Sequence, residues 1–202
     1  MNLRFRIVLA AVLVARAASA RAEPPREAPI DDGWNRVFAR SEGWTGGDVA
    51  GTVDLLDGRT LWVFGDTWFG KVKDGKHAAG SKLVNNSIAV HRQTEAGAPP
   101  AVDKVQFIGG KSPANSVPTA WVTPENAAAT EELQRTWYWP NGGGAVVPRR
   151  DGSGQRLIVF LFHVAKRSDS KGVWNFKVIG SAMAVIENVA GPPTEWRPRV
   201  VA

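Results

Sequence analysis

Short apolar runs of extended type, cut by glycine, proline and Asp-Gly pairs, make up most of this chain. Runs of that kind, bounded by turn residues, predict β-strands. Residues 49–56 lead into Asp57-Gly58, a strong short-range hairpin signal, and Leu61-Trp62-Val63-Phe64 leads out on aromatic, branched and aliphatic side chains. Trp62 alternates within that apolar strand, which predicts a core position. Residues 34–38 predict a short strand entering the domain. Residues 83–92 return to the extended pattern, with Ser87, Ala89 and His91 on one face and Ile88 and Val90 on the other. Residues 105–108 supply a fourth strand, closing a four-stranded antiparallel unit. Residues 70–82 are rich in glycine and lysine and read as a solvated loop in which His77 is incidental. Residues 111–124, with Pro113, Pro118 and Pro124, read as a long loop, and residues 125–135 hold a short peripheral stretch of good helix formers.

From Asn141 the pattern repeats. NGGGAVVPRRDGSGQRLIVFLFH resembles GGDVAGTVDLLDGRTLWVFGDT in its Gly-rich entry, strand, Asp-Gly turn and strand ending on Val-Phe. Leu61, Val63 and Phe64 correspond to Leu157, Val159 and Phe160 at an offset of 96. Residues 174–186 supply one or two further strands, and Trp196 begins another element. Two units of about four strands predict an all-β fold of propeller type, with two blades present.

The N-terminus changes this picture little and the charge changes it more. Arg4 and Arg6, the apolar stretch 7–15 and Ala20-Arg21-Ala22 form a signal-peptide pattern, so residues 1–22 are expected to be a leader. The nine apolar residues are too few to span a bilayer as a helix. The proline-rich, charged residues 23–33 read as a linker, and 34–202 as the partial propeller domain. The formal charge of +6 includes Arg4, Arg6, Arg16 and Arg21, so without the leader it falls to +2. That is too weak a balance to predict nucleic-acid binding. With no cysteine, neither disulfides nor a thiolate metal site is available, and packing alone must hold a secreted or periplasmic protein together. Nine tryptophans against one tyrosine suit an aromatic-lined β architecture, sugar-stacking platforms, or both.

The candidate chemistry lies at the open end of the first hairpin. Asp48 and Asp66 have their midpoint at residue 57, inside the turn. A three-residue loop over 56–58 pairs residues whose numbers sum to 114 and sets the two acids directly opposite. A two-residue Asp57-Gly58 loop shifts the register and turns one of them to the other face, unless a bulge near Gly51 restores the match. In the second unit the constant offset puts Gly144 and Phe162 at these positions, so the hairpin is built without either acid. Two level carboxylates suit general acid–base hydrolysis of a glycosidic bond. Trp44, Trp68 and Trp139 are candidate sugar platforms, Asn86 a hydroxyl-binding amide, and His163 a further cleft residue. Asp48, Asp66 and Asn86 are also hard oxygen ligands, so calcium is the one cofactor considered, although no calcium-loop motif is present.

These residues carry a resemblance. Gly46-Gly47-Asp48, Leu61-Trp62-Val63-Phe64-Gly65-Asp66-Thr67, Asn86-Ser87-Ile88-Ala89 and Trp139-Pro140 resemble a bacterial domain family related to five-bladed β-propeller glycosidases, some of them endo-D-arabinanases acting on mycobacterial-type arabinan. The likeness covers roughly residues 44–186. It implies that Asp48 and Asp66 match the arabinanases' acidic pair, without assigning acid and base. Five blades need roughly 280 residues or more, whereas about 180 remain after residue 22. The expectation is therefore an incomplete propeller, either a fragment or a chain that self-associates. Its partner would be a polysaccharide or oligosaccharide, with no nucleic acid and no membrane once the leader is cleaved. The alternatives in function are a non-catalytic carbohydrate-binding or surface protein and an inactive truncated form.

Overall fold

Two four-stranded antiparallel sheets, each running in chain order apart from one excursion, dominate the structure. This computed structural model describes residues 30–95, 98–111, 117–124, 133–167, 172 and 174–202. The leader at 1–22 and most of the linker at 23–33 lie outside them. The described elements are α1 (Asp32–Phe38), β1 (Glu42–Gly47), β2 (Gly51–Asp54), β3 (Arg59–Phe64), β4 (Thr67–Lys73), β5 (Lys76–His77), β6 (Lys82–Val84), β7 (Ser87–Arg92), β8 (Gln106–Ile108), β9 (Gly110–Lys111), β10 (Pro118–Thr119), β11 (Leu133–Pro148), β12 (Gln155–Arg167), β13 (Phe176–Ile186) and β14 (Arg199–Val201). The first sheet is β2-β3-β7-β8 and the second β11-β12-β13-β14. A smaller sheet sets β4 between β1 and the short strands β5 and β6, and β9 pairs β10. The fold is all-β in its organisation. Among the described residues the sheets are open, and no closed barrel or propeller ring is formed.

One apolar cluster joins the two large sheets. Val53, Leu55, Leu61, Val63, Ile88 and Val90 of the first meet Leu157, Val159, Leu161, Ala182, Ala184 and Ile186 of the second. Full burial of such side chains stabilises by about 1.5–3 kcal/mol each. Where the inner strands meet, Gly51 is required, because a Cβ there would overlap the carbonyl of Gly142. A second cluster covers the other face of the first sheet with Trp34, Val37 and Phe38 of α1 and Trp44 of β1, packed against Trp62, Phe64, Ala89 and Phe107. Among the described residues the second sheet has no such cover. Phe160, Met183 and Val201 form one cross-strand row on its outer face, with Phe160 45% and Met183 36% exposed.

The strands at 105–108 and 87–91 and the two-faced pattern of the latter are as the sequence predicts. Ile88 and Val90 enter the first cluster, and Ala89 the second. Other expectations are corrected. Residues 34–38 lie in a helix, since Trp34, Val37 and Phe38 fall at helical spacing and present one apolar stripe to the aromatic cluster. Residues 70–82 are largely strand, with β4 and β5 joined by a two-residue turn at Asp74-Gly75, both at positive φ (52° and 72°). Residues 83–92 divide between two sheets. Residues 133–135 open β11, and the remainder of the helical stretch, 125–132, lies outside the described residues.

Candidate functional site

The first hairpin takes the three-residue loop. Gly51↔Val63 through Asp54↔Thr60 pair at a sum of 114, and Leu55 N–H donates to the Arg59 carbonyl at 3.0 Å. Leu56 and Gly58 absorb the reversal at φ 59° and 78°. Arg59 fixes this turn from both sides. Its Nη2 donates both to the Asp57 carboxylate at 2.5 Å and to the Val189 carbonyl at 2.6 Å. The Arg59 bond to Asp57 holds that carboxyl below the usual carboxylate range.

The same register continues past the break between β2 and β1, since Gly47 pairs Thr67 and Gly46 pairs Trp68. In the break itself, Asp48 N–H donates to the Asp66 carbonyl at 3.1 Å, and Gly65 N–H donates to the Asp48 carbonyl at 2.9 Å. The two acids therefore stand directly opposite without a bulge at Gly51. Val49, the next residue, is a β-branched side chain at φ 53°, where such residues are strained. Gly65 leaves the space that the Asp48 side chain occupies, because a Cβ at 65 would overlap Asp48 Oδ1.

The carboxyls differ in surroundings. Asp48 is solvent-exposed on one side. Burial of the rest and then the charge of Asp66 push its carboxyl above the usual range, against the opposing pull of backbone N–H groups. Asp66 is half-buried, and its Oδ1 accepts from Trp139 Nε1 at 2.7 Å and from Asn85 Nδ2 at 3.2 Å. The Arg135 guanidinium donates to Asn85 Oδ1 at 2.9 Å and lies 5.7 Å from the centre of the Trp137 ring. Among the described residues, no hydrogen bond reaches Asp66 Oδ2. Asn85, Arg135 and Trp137 also line a hollow of about 360 Å³ with Thr119, Thr123 and Thr136.

The other candidates divide. Trp139 joins the site, but through its N–H on Asp66, with its ring edge-on to Phe176 at 4.8 Å. Trp68 is half-buried and stacks on His77 at 4.2 Å, so His77 has a packing role. Trp44 is core: it is 4% exposed, stacks on Phe107 at 4.4 Å and donates to Ser87 Oγ. Asn86 is wholly buried, donating to the Val122 and Tyr138 carbonyls at 2.9 and 2.8 Å and accepting from Val122 N–H. Its amide is fully used inside the fold, which removes it both as a sugar ligand and as a third calcium ligand. Among the described residues, no group of three or more His, Cys, Asp or Glu is placed to hold a metal ion. His163 packs on the ring of buried Tyr138 at 4.9 Å, and burial pushes its imidazole below the usual histidine value. The sequence reading missed Asn85 and Arg135. The first is the other half of the Asn-Asn pair, and the second lay in the stretch read as helix.

The second hairpin also corrects the repeat. Gly144↔Val159 through Pro148↔Gln155 pair at a sum of 303. By that register the partner of Phe162 is Asn141 rather than Gly144, and a shift near Pro140 then brings Trp139 opposite Phe162. None of these residues is an acid.

A protein family described as a domain of unknown function, DUF5005, matches residues 31–194. The chain belongs to that family. A crystal structure from Bacteroides ovatus ATCC 8483, named "putative hydrolase", matches this DUF5005 chain with a TM-score of 0.60 at 18% identity, over 89% of this chain and 46% of that one. At that identity the likeness is one of fold, and the chain spans less than half the length of this relative. Among curated proteins none matches. Among the described residues of the DUF5005 chain, no helix is long and apolar enough to cross a membrane.

Proposed function

We propose that this DUF5005 chain is a hydrolase cleaving glycosidic bonds, with Asp48 as proton donor and Asp66 as its ionised counterpart. The observation that carries this reading is the pairing of two level carboxyls in unlike surroundings, one pushed up in pKa and one clamped by two N–H donors. Pairs of acids whose environments differ in this way divide acid and base work at neutral pH. Asp48 gives its proton to the leaving oxygen. Asp66, through Oδ2, either takes a proton from the attacking water or adds to the sugar itself, and the anomer of the product decides between these. The name given to the Bacteroides ovatus protein supports hydrolysis in general. The resemblance to five-bladed propeller glycosidases makes arabinan the first substrate to try, with the two large sheets as two blades. A polysaccharide substrate also suits the leader-like pattern of residues 1–22, which would place the protein outside the cytoplasm.

The test is release of reducing ends from arabinans and other polysaccharides. Asp48→Asn and Asp66→Asn are each expected to lower kcat by about 100-fold or more while sugar binding persists. Binding without turnover in the unaltered chain would replace this reading with a carbohydrate-binding one. Unchanged turnover in both variants would remove the carboxylate pair from the chemistry.

A further inference from the structure

Asp66 accepts two hydrogen bonds on one oxygen, and both donors come from elsewhere in the fold, Asn85 from the link between β6 and β7 and Trp139 from β11. An indole N–H only donates. An amide does both, and nothing in the shape of Asn85 decides which end faces Asp66. Turned the other way, its oxygen would meet the Asp66 carboxylate and repel it. The guanidinium of Arg135 settles the matter, because it can only donate: its bond at 2.9 Å takes Asn85 Oδ1 and leaves Nδ2 for Asp66.

We propose that Arg135 and Asn85 are positioning residues of the carboxylate pair, Arg135 setting the polarity of the Asn85 amide and Asn85 then aiming Asp66 so that Oδ1 is held and Oδ2 is left for substrate. The inference rests on the hydrolase reading for its effect on catalysis, while its geometry stands apart from that reading. Arg135 belongs to β11 and Asp66 to the first hairpin, so the relay also couples the second sheet to the site. The charged groups concerned are Asp48 and Asp66, at opposite register positions across the hairpin, and Arg135, reaching in from β11 through Asn85. Of these, Asp66 is the one whose charge raises Asp48.

The sign of the effect follows. Without Asn85, Asp66 keeps the Trp139 N–H and can rotate about it. As its carboxylate turns from the like charge of Asp48, the part of the upward push that comes from Asp66 weakens, while the larger part from burial stays. Asn85→Leu keeps the charge of Arg135 and so isolates this effect. In the full chain, without substrate, the titration midpoint of the Asp48 carboxyl, read by carbon NMR, is expected to fall. With substrate, the alkaline limb of the kcat/KM profile, which reports the free enzyme, moves to lower pH by the same amount, and kcat drops about tenfold with little change in KM. Arg135→Leu gives a comparable loss of kcat, and Arg135→Lys, which still donates, restores most of it.

An unmoved Asp48 midpoint in a folded Asn85→Leu protein would overturn the positioning role, whatever the activity. So would an Arg135→Lys variant no better than Arg135→Leu. Retained turnover in Asp48→Asn and Asp66→Asn would instead sink the hydrolase reading, and the midpoint shift would still decide whether Arg135 and Asn85 aim the pair.

Discussion

The two large sheets are built on one pattern and put to different uses. Leu61 and Val63 of the first and Leu157 and Val159 of the second occupy equivalent places and all are fully buried in the shared cluster. Phe64 and Phe160, next in the same alignment, part company: Phe64 is 1% exposed under the aromatic layer, and Phe160 is 45% exposed on the outer face of the second sheet. The first hairpin ends on two acids held level, and the second on Asn141, Trp139 and Phe162. The shared apolar spacing makes the strand and its inner face. What covers the outer face, and what stands at the open end, is decided by neighbours that the repeat does not contain.

Phe64→Ala and Phe160→Ala test that division most directly. The first should cost about 3–5 kcal/mol and the second under about 1 kcal/mol, read as a shift in denaturant midpoint at constant slope. Equal costs would mean that the outer face of the second sheet is covered in solution. Asn86→Ala comes next in size. It strands the Val122 N–H and the carbonyls of Val122 and Tyr138, at about 1–3 kcal/mol for a lost buried partner, and the loss should appear as a lower melting temperature. A smaller effect is expected at the acids. Because the folded chain raises the pKa of Asp48, ionising it costs stability, so stability falls as pH rises from the ordinary aspartate range through the raised value. Asp48→Asn should therefore melt slightly higher than the unaltered chain at pH 7, and the difference should vanish below about pH 3.9. A difference that persists there would assign the effect to something other than charge.

Much of the first sheet was legible because its signals are local. Asp57-Gly58 marks the turn, and the alternation over 87–91 sorts the faces. The level placement of Asp48 and Asp66 was one of two registers, and residue types alone do not choose between them; the structure takes the three-residue loop, with Leu56 at positive φ. The helix at 32–38 was hidden because a short apolar run serves either period, and its aromatic partners lie in other elements. The site was read to within one residue at the Asn-Asn pair. Both lie in the bend between β6 and β7, where no strand alternation sorts their faces, and only tertiary packing sends Asn86 inward and Asn85 toward Asp66. In the repeat a constant offset of 96 holds on β3 and β12. It fails on the inner strands, because six residues (149–154) separate the paired Pro148 and Gln155, where three (56–58) separate Leu55 and Arg59.

The missing Cβ at Gly65 bears on how such a chain can change over generations. While Asp48 keeps its place, any side chain at 65 meets its carboxylate and obliges it to shift, so substitution there displaces the acid. Once Asp48 is lost or shortened, position 65 is released and can drift. Return to the same placement is then hindered, because the space at 65 must be cleared first. The two positions form a ratchet, and among related sequences an acid at 48 should be found only beside glycine at 65, whereas glycine at 65 without the acid marks a lineage that has only begun to lose the site.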